Sequence, residues 1–174
     1  MGFNKKRLYL ALYPSRNPSK REELKYHLAL IIGPKVEDRN AVPGMRYHAK
    51  NDLKGRWYYA EDRLPDVQSS VRLLARILIA KVINEKRLVE ILRSVSIVQD
   101  EPDYNCREWI MEAVSRIAGD GQAVGTAQLE WAKIEERARG YVASKTAVGR
   151  YEVGHDMTES KPVWDMLQEK EIVP

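Results

Sequence analysis

Hydrophobic residues in the first half of the chain cluster in short segments that are bounded by Gly, Pro and polar residues. These segments are rich in Leu, Ile, Val and aromatic side chains, a composition typical of β-strands. The second is apolar on both faces, which predicts a central strand. The fifth is ambiguous by periodicity alone, but its composition and the helical NEKRLVEILRSV after it favour a strand. The five are RLYLALY, YHLALIIGP, MRYHAKN, GRWYYAEDRL and VRLLARILIAKVI.

The second half of the chain has helical periodicity. Apolar residues recur from Arg107 onwards at helical spacing and predict an amphipathic helix that ends at Gly119 and Gly121. We expect a second helix from about Thr126 to Ser144. The apolar positions of the first helix are Trp109, Ile110, Ala113, Val114 and Ile117.

These elements predict one α+β domain over residues 1–150. Its antiparallel sheet would include the strands around His27 and His48, with the helix of Cys106 packed on one face. The remaining residues, 151–174, are polar and weakly patterned, so we expect a C-terminal arm or extension laid over the body.

Composition narrows the class of protein. The chain has 174 residues, of which 44% are hydrophobic and 31% charged, as in soluble globular proteins. Its apolar runs are too short to cross a bilayer, so no membrane span is expected. A single cysteine excludes an intramolecular disulfide and favours a reducing compartment, the cytoplasm or alternatively the nucleus.

Net charge gives only weak evidence for a nucleic-acid partner. The chain carries +4, but its basic residues are spread along the sequence and mixed with 25 acids. The N-terminal basic residues are better explained as a solvated face, and nucleic-acid binding is not expected. They are Lys5, Lys6, Arg7, Lys20 and Arg21.

The lone cysteine, Cys106, lies in EPDYNCREWI, where the helical pattern begins. A lone Cys is usually a small buried hydrophobe. At a helix N-terminus, however, the helix dipole and a nearby imidazolium favour the thiolate. A nucleophilic Cys also needs a base within hydrogen-bond reach and a third polar group that orients the base.

Three histidines are available to act with Cys106. His27 lies in an apolar strand, where a core role is the alternative, and His48 lies in the next strand, where solvent exposure is the alternative. Their midpoint, 37.5, falls in KVEDRNAVPG, so a hairpin centred there would place them directly opposite each other with touching imidazoles. His155 lies in a polar, glycine-flanked stretch and is expected at the surface. Cys and His lack the paired spacing of a zinc site, so neither a metal nor another cofactor is expected.

This arrangement resembles a known superfamily. A His in YHLALIIG, a second in RYHAKN and NCREWI opening a helix resemble the circularly permuted branch of the papain-like thiol superfamily. That branch includes the lecithin:retinol acyltransferase-like proteins and the de-SUMOylating isopeptidases. In that branch a His in a strand precedes a helix that begins with Asn-Cys and continues with an aromatic residue. Here His27 matches the strand His, and Asn105, Cys106 and Trp109 match the start of the helix. YHLALIIGPK, RYHAKN, ARILIAKV and NCREW also look like a fungal family of unknown function.

The resemblance covers roughly residues 7 to 118 and has two departures. The spacing of 21 between His27 and His48 is longer than is usual in the acyltransferase-like group. We expect no long hydrophobic C-terminal anchor of the kind common in that group, which weakens the case for a membrane-lipid substrate.

The resemblance implies a permuted papain-like fold and a Cys/His-dependent hydrolase or acyltransferase. Cys106 would attack the acyl carbonyl, His27 would take its proton and His48 would orient His27, with a lowered thiol pKa. The oxyanion or substrate would be bound by Asn105, Tyr104 or Trp109, together with backbone N–H groups at the helix start. The partner would be a small-molecule or peptide-like acyl, amide or thioester substrate.

The alternative is a catalytically inactive binding module of the same fold, in which Cys106 is buried and inert. Substrate identity, hydrolysis versus acyl transfer, oligomeric state and pathway stay open at the level of sequence.

Overall fold

A computed structural model describes residues 5–16, 21–38 and 40–174, without the side chain of Glu23. Lys20, a member of the N-terminal basic cluster, lies outside the described residues. Within the described ranges the chain forms eight strands and three α-helices. They are β1 (Lys6–Pro14), β2 (Tyr26–Pro34), β3 (Gly44–Asn51), β4 (Trp57–Leu64), β5 (Ala75–Val82), α1 (Glu85–Ser94), α2 (Cys106–Asp120), β6 (Val124–Ala127), α3 (Trp131–Ala147), β7 (Val163–Asp165) and β8 (Lys170–Val173).

The strands form one sheet in the order β4-β3-β2-β1-β5-β7-β8, with β6 beside β5. All pairs are antiparallel except β5 with β7. The expected mixed α+β architecture with a mostly antiparallel sheet is therefore confirmed. The sequence also placed the first five strands correctly, because turn residues and polar loops bound each apolar run.

The sheet has a helix-covered face and a second apolar face. Leu28 and Leu30 of β2 pack with the buried residues of α2, including Trp109 and Ile110. Ala29 and Ile31 alternate with them and join a second buried cluster. We call the side of Ala29 and Ile31 the second face, and by the same alternation His27 and His48 project from it.

The predicted helix from about Thr126 is wrong at its start. Residues 124–127 form β6, in which Ala127 pairs with Ala80 and Val124 with Val82, and α3 begins only at Trp131. Backbone pairing to β5 outweighs the local helical pattern there. None of the helices in the described ranges is long and apolar enough to cross a bilayer.

The C-terminal residues are built into the sheet. β7 lies parallel to β5 over Arg76 to Leu78, and β8 pairs with β7. Just before β7, the fully buried ammonium of Lys161 donates to the carbonyls of Ser70 at 2.9 Å and Leu73 at 2.8 Å. The segment expected as an arm thus covers one edge of β5, and its Lys161 holds the loop before β5 in place.

Candidate active site

A cavity of about 520 Å³ opens where β1, β2 and β3 approach the start of α2. Its wall brings together five of the six residues that the sequence analysis assigned to catalysis or binding. Trp109 is not among the residues that line it. The five are His27, His48, Tyr104, Asn105 and Cys106.

Cys106 lies where β2 and β3 separate. The ladder between them joins Leu30–Ile32 to Met45–Tyr47 and does not continue to the start of β2. Leu28 is two residues before Leu30, so its N–H points to the same side, towards β3. The sulfur of Cys106 accepts this N–H at 3.5 Å. The N-terminus of α2 therefore occupies the gap between the strands that carry the two histidines.

The environment of Cys106 favours its neutral form. The residue is buried, with 7% of its surface exposed, and burial raises the pKa of the thiol. The N–H groups of Leu28, Arg107 and Cys106 itself oppose this effect, but they do not outweigh it. The predicted lowering of the thiol pKa is thus wrong, since desolvation disfavours the thiolate more than the helix start favours it.

His27 and His48 are in contact, as predicted. Nε2 of His27 lies 2.8 Å from Nδ1 of His48, and the ring centroids are 5.1 Å apart. The predicted direct pairing is wrong. In the observed register Leu30 is opposite Tyr47, so the hairpin is centred one residue later and the two histidines are diagonal neighbours on one face.

Two charged residues complete the network, and neither was singled out from the sequence. Nε2 of His48 lies 2.6 Å from Oδ2 of Asp62, and Arg46 donates to the same oxygen through Nε at 3.1 Å and Nη2 at 2.9 Å. Arg46 and Asp62 are directly opposite in the β3–β4 hairpin. The sequence could have indicated this pair, because the midpoint of residues 46 and 62 falls in the turn sequence NDLKGR.

The hydrogen bonds assign the proton positions. The carboxylate of Asp62 accepts, so Nε2 of His48 carries a proton and Nδ1 of neutral His48 is an acceptor. Nε2 of His27 must then donate to it, which leaves a lone pair on Nδ1 of His27. Among the described residues, that Nδ1 has no hydrogen-bond partner, and no hydrogen bond joins His27 to Cys106.

Both imidazoles are neutral at physiological pH. Burial is the main cause that lowers the pKa of His27 to about 3, followed by the charge that His48 gains at low pH and by the charge of Arg46. Burial and then the charge of Arg46 lower the pKa of His48 to about 4, although Asp62 opposes this shift. Arg46 and His48 hold the pKa of Asp62 below its usual value despite partial burial, so Asp62 stays ionised.

The proposed binding residues differ in position. Asn105 caps α2, because its Oδ1 accepts from Arg107 N at 2.9 Å and its Nδ2 donates to Asp103 O at 3.0 Å. Tyr104 lines the cavity and packs edge-on against Trp57, with ring centroids 5.7 Å apart.

Two other residues take no part in the cavity wall. The side chain of Trp109 is fully buried beside Tyr59 and packs α2 onto the sheet, so its place is in the core. His155 is exposed, in agreement with the sequence. The described ranges contain no group of three or more His, Cys, Asp or Glu that could hold a metal ion.

Comparison with known proteins gives one match. No curated protein and no solved structure matches the chain. A family model does match residues 5–173, nearly the whole chain. The chain therefore belongs to DUF6914, a family of unknown function.

Proposed function

We propose that the protein is a Cys/His-dependent thiol enzyme of permuted papain-like type that acts on an acyl, amide or thioester bond through a covalent acyl-enzyme. The observation that carries the proposal is the chain of hydrogen bonds from Asp62 through His48 to His27. It ends in an unpartnered lone pair in the cavity that Cys106 lines, and a nucleophile, a base and groups that orient the base are the parts such chemistry requires.

In the first step Cys106 attacks the substrate carbonyl. A bond forms between Sγ and the carbonyl carbon, the thiol proton passes to Nδ1 of His27, and the carbonyl oxygen becomes an oxyanion. Because the thiol pKa is raised and that of His27 is low, proton transfer accompanies attack rather than preceding it.

The tetrahedral adduct then collapses to an acyl-enzyme. The leaving group departs with the proton from Nδ1 of His27, and the acyl group remains on Sγ as a thioester. Water or another nucleophile next attacks this thioester, with His27 taking its proton, and the thiol is restored. Water makes the protein a hydrolase, and a different acceptor makes it an acyltransferase.

The start of α2 supplies donors for the oxyanion. Within the described ranges, the backbone N–H of Cys106 donates to no other residue. Asn105 commits one amide proton to Asp103 and keeps a second. Donors fixed in this way stabilise charge without reorganising during the reaction.

Burial of Cys106 and its raised thiol pKa favour a second candidate, a non-catalytic binding module. In that case the cavity would hold a ligand without covalent chemistry. The rate of acylation distinguishes the two functions. In an enzyme Cys106 is acylated faster than a thiol in an unfolded chain, whereas in a binding module it is not.

The test is acylation by p-nitrophenyl acetate at pH 7, followed by release of nitrophenolate and by mass spectrometry of the Cys106 peptide. We expect acetyl transfer to Cys106 to be faster in the folded protein than in the same protein in denaturant. Cys106→Ala should abolish it. Slower acylation when folded than when unfolded would contradict the proposal and favour the binding module.

A further inference from the structure

The cavity wall is strongly basic. Five cationic side chains line it, whereas Asp103 is the only carboxylate among the described residues that do so. The five are Arg16, Arg21, Arg46, Lys50 and Arg72. The acids and bases of the whole chain are nearly balanced, so this local excess is a property of the cavity rather than of the composition.

Two of the five cations are neutralised by carboxylates. Arg21 pairs with Asp103 at 2.9 Å, and Arg46 pairs with Asp62 at 2.9 Å. The other three, Arg16, Lys50 and Arg72, have no carboxylate partner within the described ranges. Arg72 does donate to the carbonyl of Pro14 at 3.3 Å, which fixes its direction but leaves its charge uncompensated.

These charges act at the base. The positive charges of Lys50 and Arg16 are among the causes that depress the pKa of His27, which places their field at the centre of the candidate site. Nothing in the described cavity balances them, so a bound anion would be attracted and would also relieve their effect on His27.

We infer that the substrate carries a negatively charged group, a carboxylate or a phosphate, which Lys50 and Arg72 bind beside Cys106. This inference rests on the proposed function and names the substrate class of the same site. The lysine provides a point charge, and the guanidinium can form paired hydrogen bonds to two oxygens of such a group.

Substrate binding then has a second effect. An anion placed between Lys50 and His27 raises the pKa of His27 towards its ordinary value, so the base becomes stronger when the correct substrate is present. A neutral acyl compound gives no such increase. Selection by charge and activation of the base therefore arise from the same residues.

The test compares alkylation of Cys106 by anionic iodoacetate and neutral iodoacetamide at pH 9. Both reagents react with the same thiolate, so the raised pKa of the thiol cancels in the ratio of their rates. We divide the rate ratio of iodoacetate to iodoacetamide by the same ratio for a small free thiol. This normalised ratio should be about 2 to 5. It should fall towards one in Lys50→Gln and Arg72→Gln, and also at about 0.5 M salt. Lys86→Gln is the matched control, because Lys86 is exposed on α1 and does not line the cavity.

Protection experiments identify the anion. Inorganic phosphate or glutarate, at matched ionic strength, is added before iodoacetamide, and the more protective of the two indicates the group that the cavity prefers. Protection by neither, or a normalised ratio of one that Lys50→Gln leaves unchanged, overturns the inference. In that event acylation of Cys106 by p-nitrophenyl acetate still decides the proposed function independently.

Discussion

Two polar networks are buried on the second face of the sheet, and they differ in how they end. In one, Arg76 of β5 binds Glu37 through two parallel hydrogen bonds of 2.7 and 2.9 Å and stacks on Tyr9, with Cζ 4.7 Å from the ring centroid. In the other, hydrogen bonds run from Asp62 through His48 to His27 and stop at the cavity. In the first network two opposite charges neutralise each other away from the cavity, although Nε of Arg76 has no partner among the described residues, whereas the second ends in an unused acceptor on a residue that lines the cavity.

The difference separates a structural network from one to which we assign a chemical role only by proposal. The ion pair of Arg76 and Glu37 joins β5 to the loop after β2, and neither residue lines the cavity. The two neutral imidazoles in series impose one proton arrangement on each other, and they leave an acceptor nitrogen on His27, which lines the cavity. Burial alone would not distinguish them, since Arg76 is 0% exposed and His48 only 2%.

The largest effect expected from breaking either network is on stability, at Arg76. Arg76→Met should lower the free energy of unfolding by about 3–5 kcal/mol, because it leaves the carboxylate of Glu37 partly buried without a partner. The double variant Arg76→Met with Glu37→Leu should recover most of that loss, since no unpaired charge remains. Urea denaturation measures both, and a single variant as stable as the parent would show that the ion pair is not structural.

The next effect should be kinetic, at the open network. His27→Ala should slow acylation of Cys106 at pH 7 by about 10²-fold, because the thiol loses its base. His48→Ala should slow it by only about 10-fold, since His48 orients the base without receiving the proton.

High pH sharpens this kinetic comparison. The difference in acylation rate between the parent and His27→Ala should narrow as the pH rises through the pKa of the thiol, because an ionised thiol no longer needs the base. His155→Ala, at an exposed position, should match the parent. Equal acylation rates for the parent and His27→Ala from pH 5 to 9 would remove His27 from the mechanism.

The smallest effect concerns the dependence of stability on pH. The pKa of His27 is lowered to about 3 in the folded chain from 6.5, so between these values the unfolded chain binds a proton that the folded chain does not. Stability should therefore be greatest above pH 6.5 and should fall as the pH drops towards 3. Between pH 7 and 6 the loss from His27 should be about 1 kcal/mol or less. His27→Gln should reduce this slope, whereas an unchanged slope would mean that folding does not shift the pKa of His27.

The sequence predicted most of the fold where periodicity is strong. The first five strands and the helix of Cys106 follow from apolar runs bounded by turn residues. Residues 124–127 and 163–165 could not be assigned in this way, because such short strands have too few residues for a period and depend on the edge of β5 for their pairing.

The candidate site was predictable only in part. The contact between His27 and His48 followed from hairpin geometry, although the predicted strand register was wrong by two residues. Asp62 was within reach of the same geometry in the next hairpin. The raised pKa of the thiol depends on how deeply α2 enters the gap between β2 and β3, and no local pattern encodes that depth.

The two short strands beside β5 have a consequence for self-association. β7 pairs with the first half of β5, at Arg76 to Leu78, and β6 pairs with its second half, at Ala80 and Val82. Without them, the apolar sequence ARILIAKV would present a row of free backbone groups, the kind of edge that recruits strands from other molecules and seeds amyloid-like stacking. Two segments from distant parts of the chain thus cover the edge of one strand, and each half of β5 is paired with a different segment.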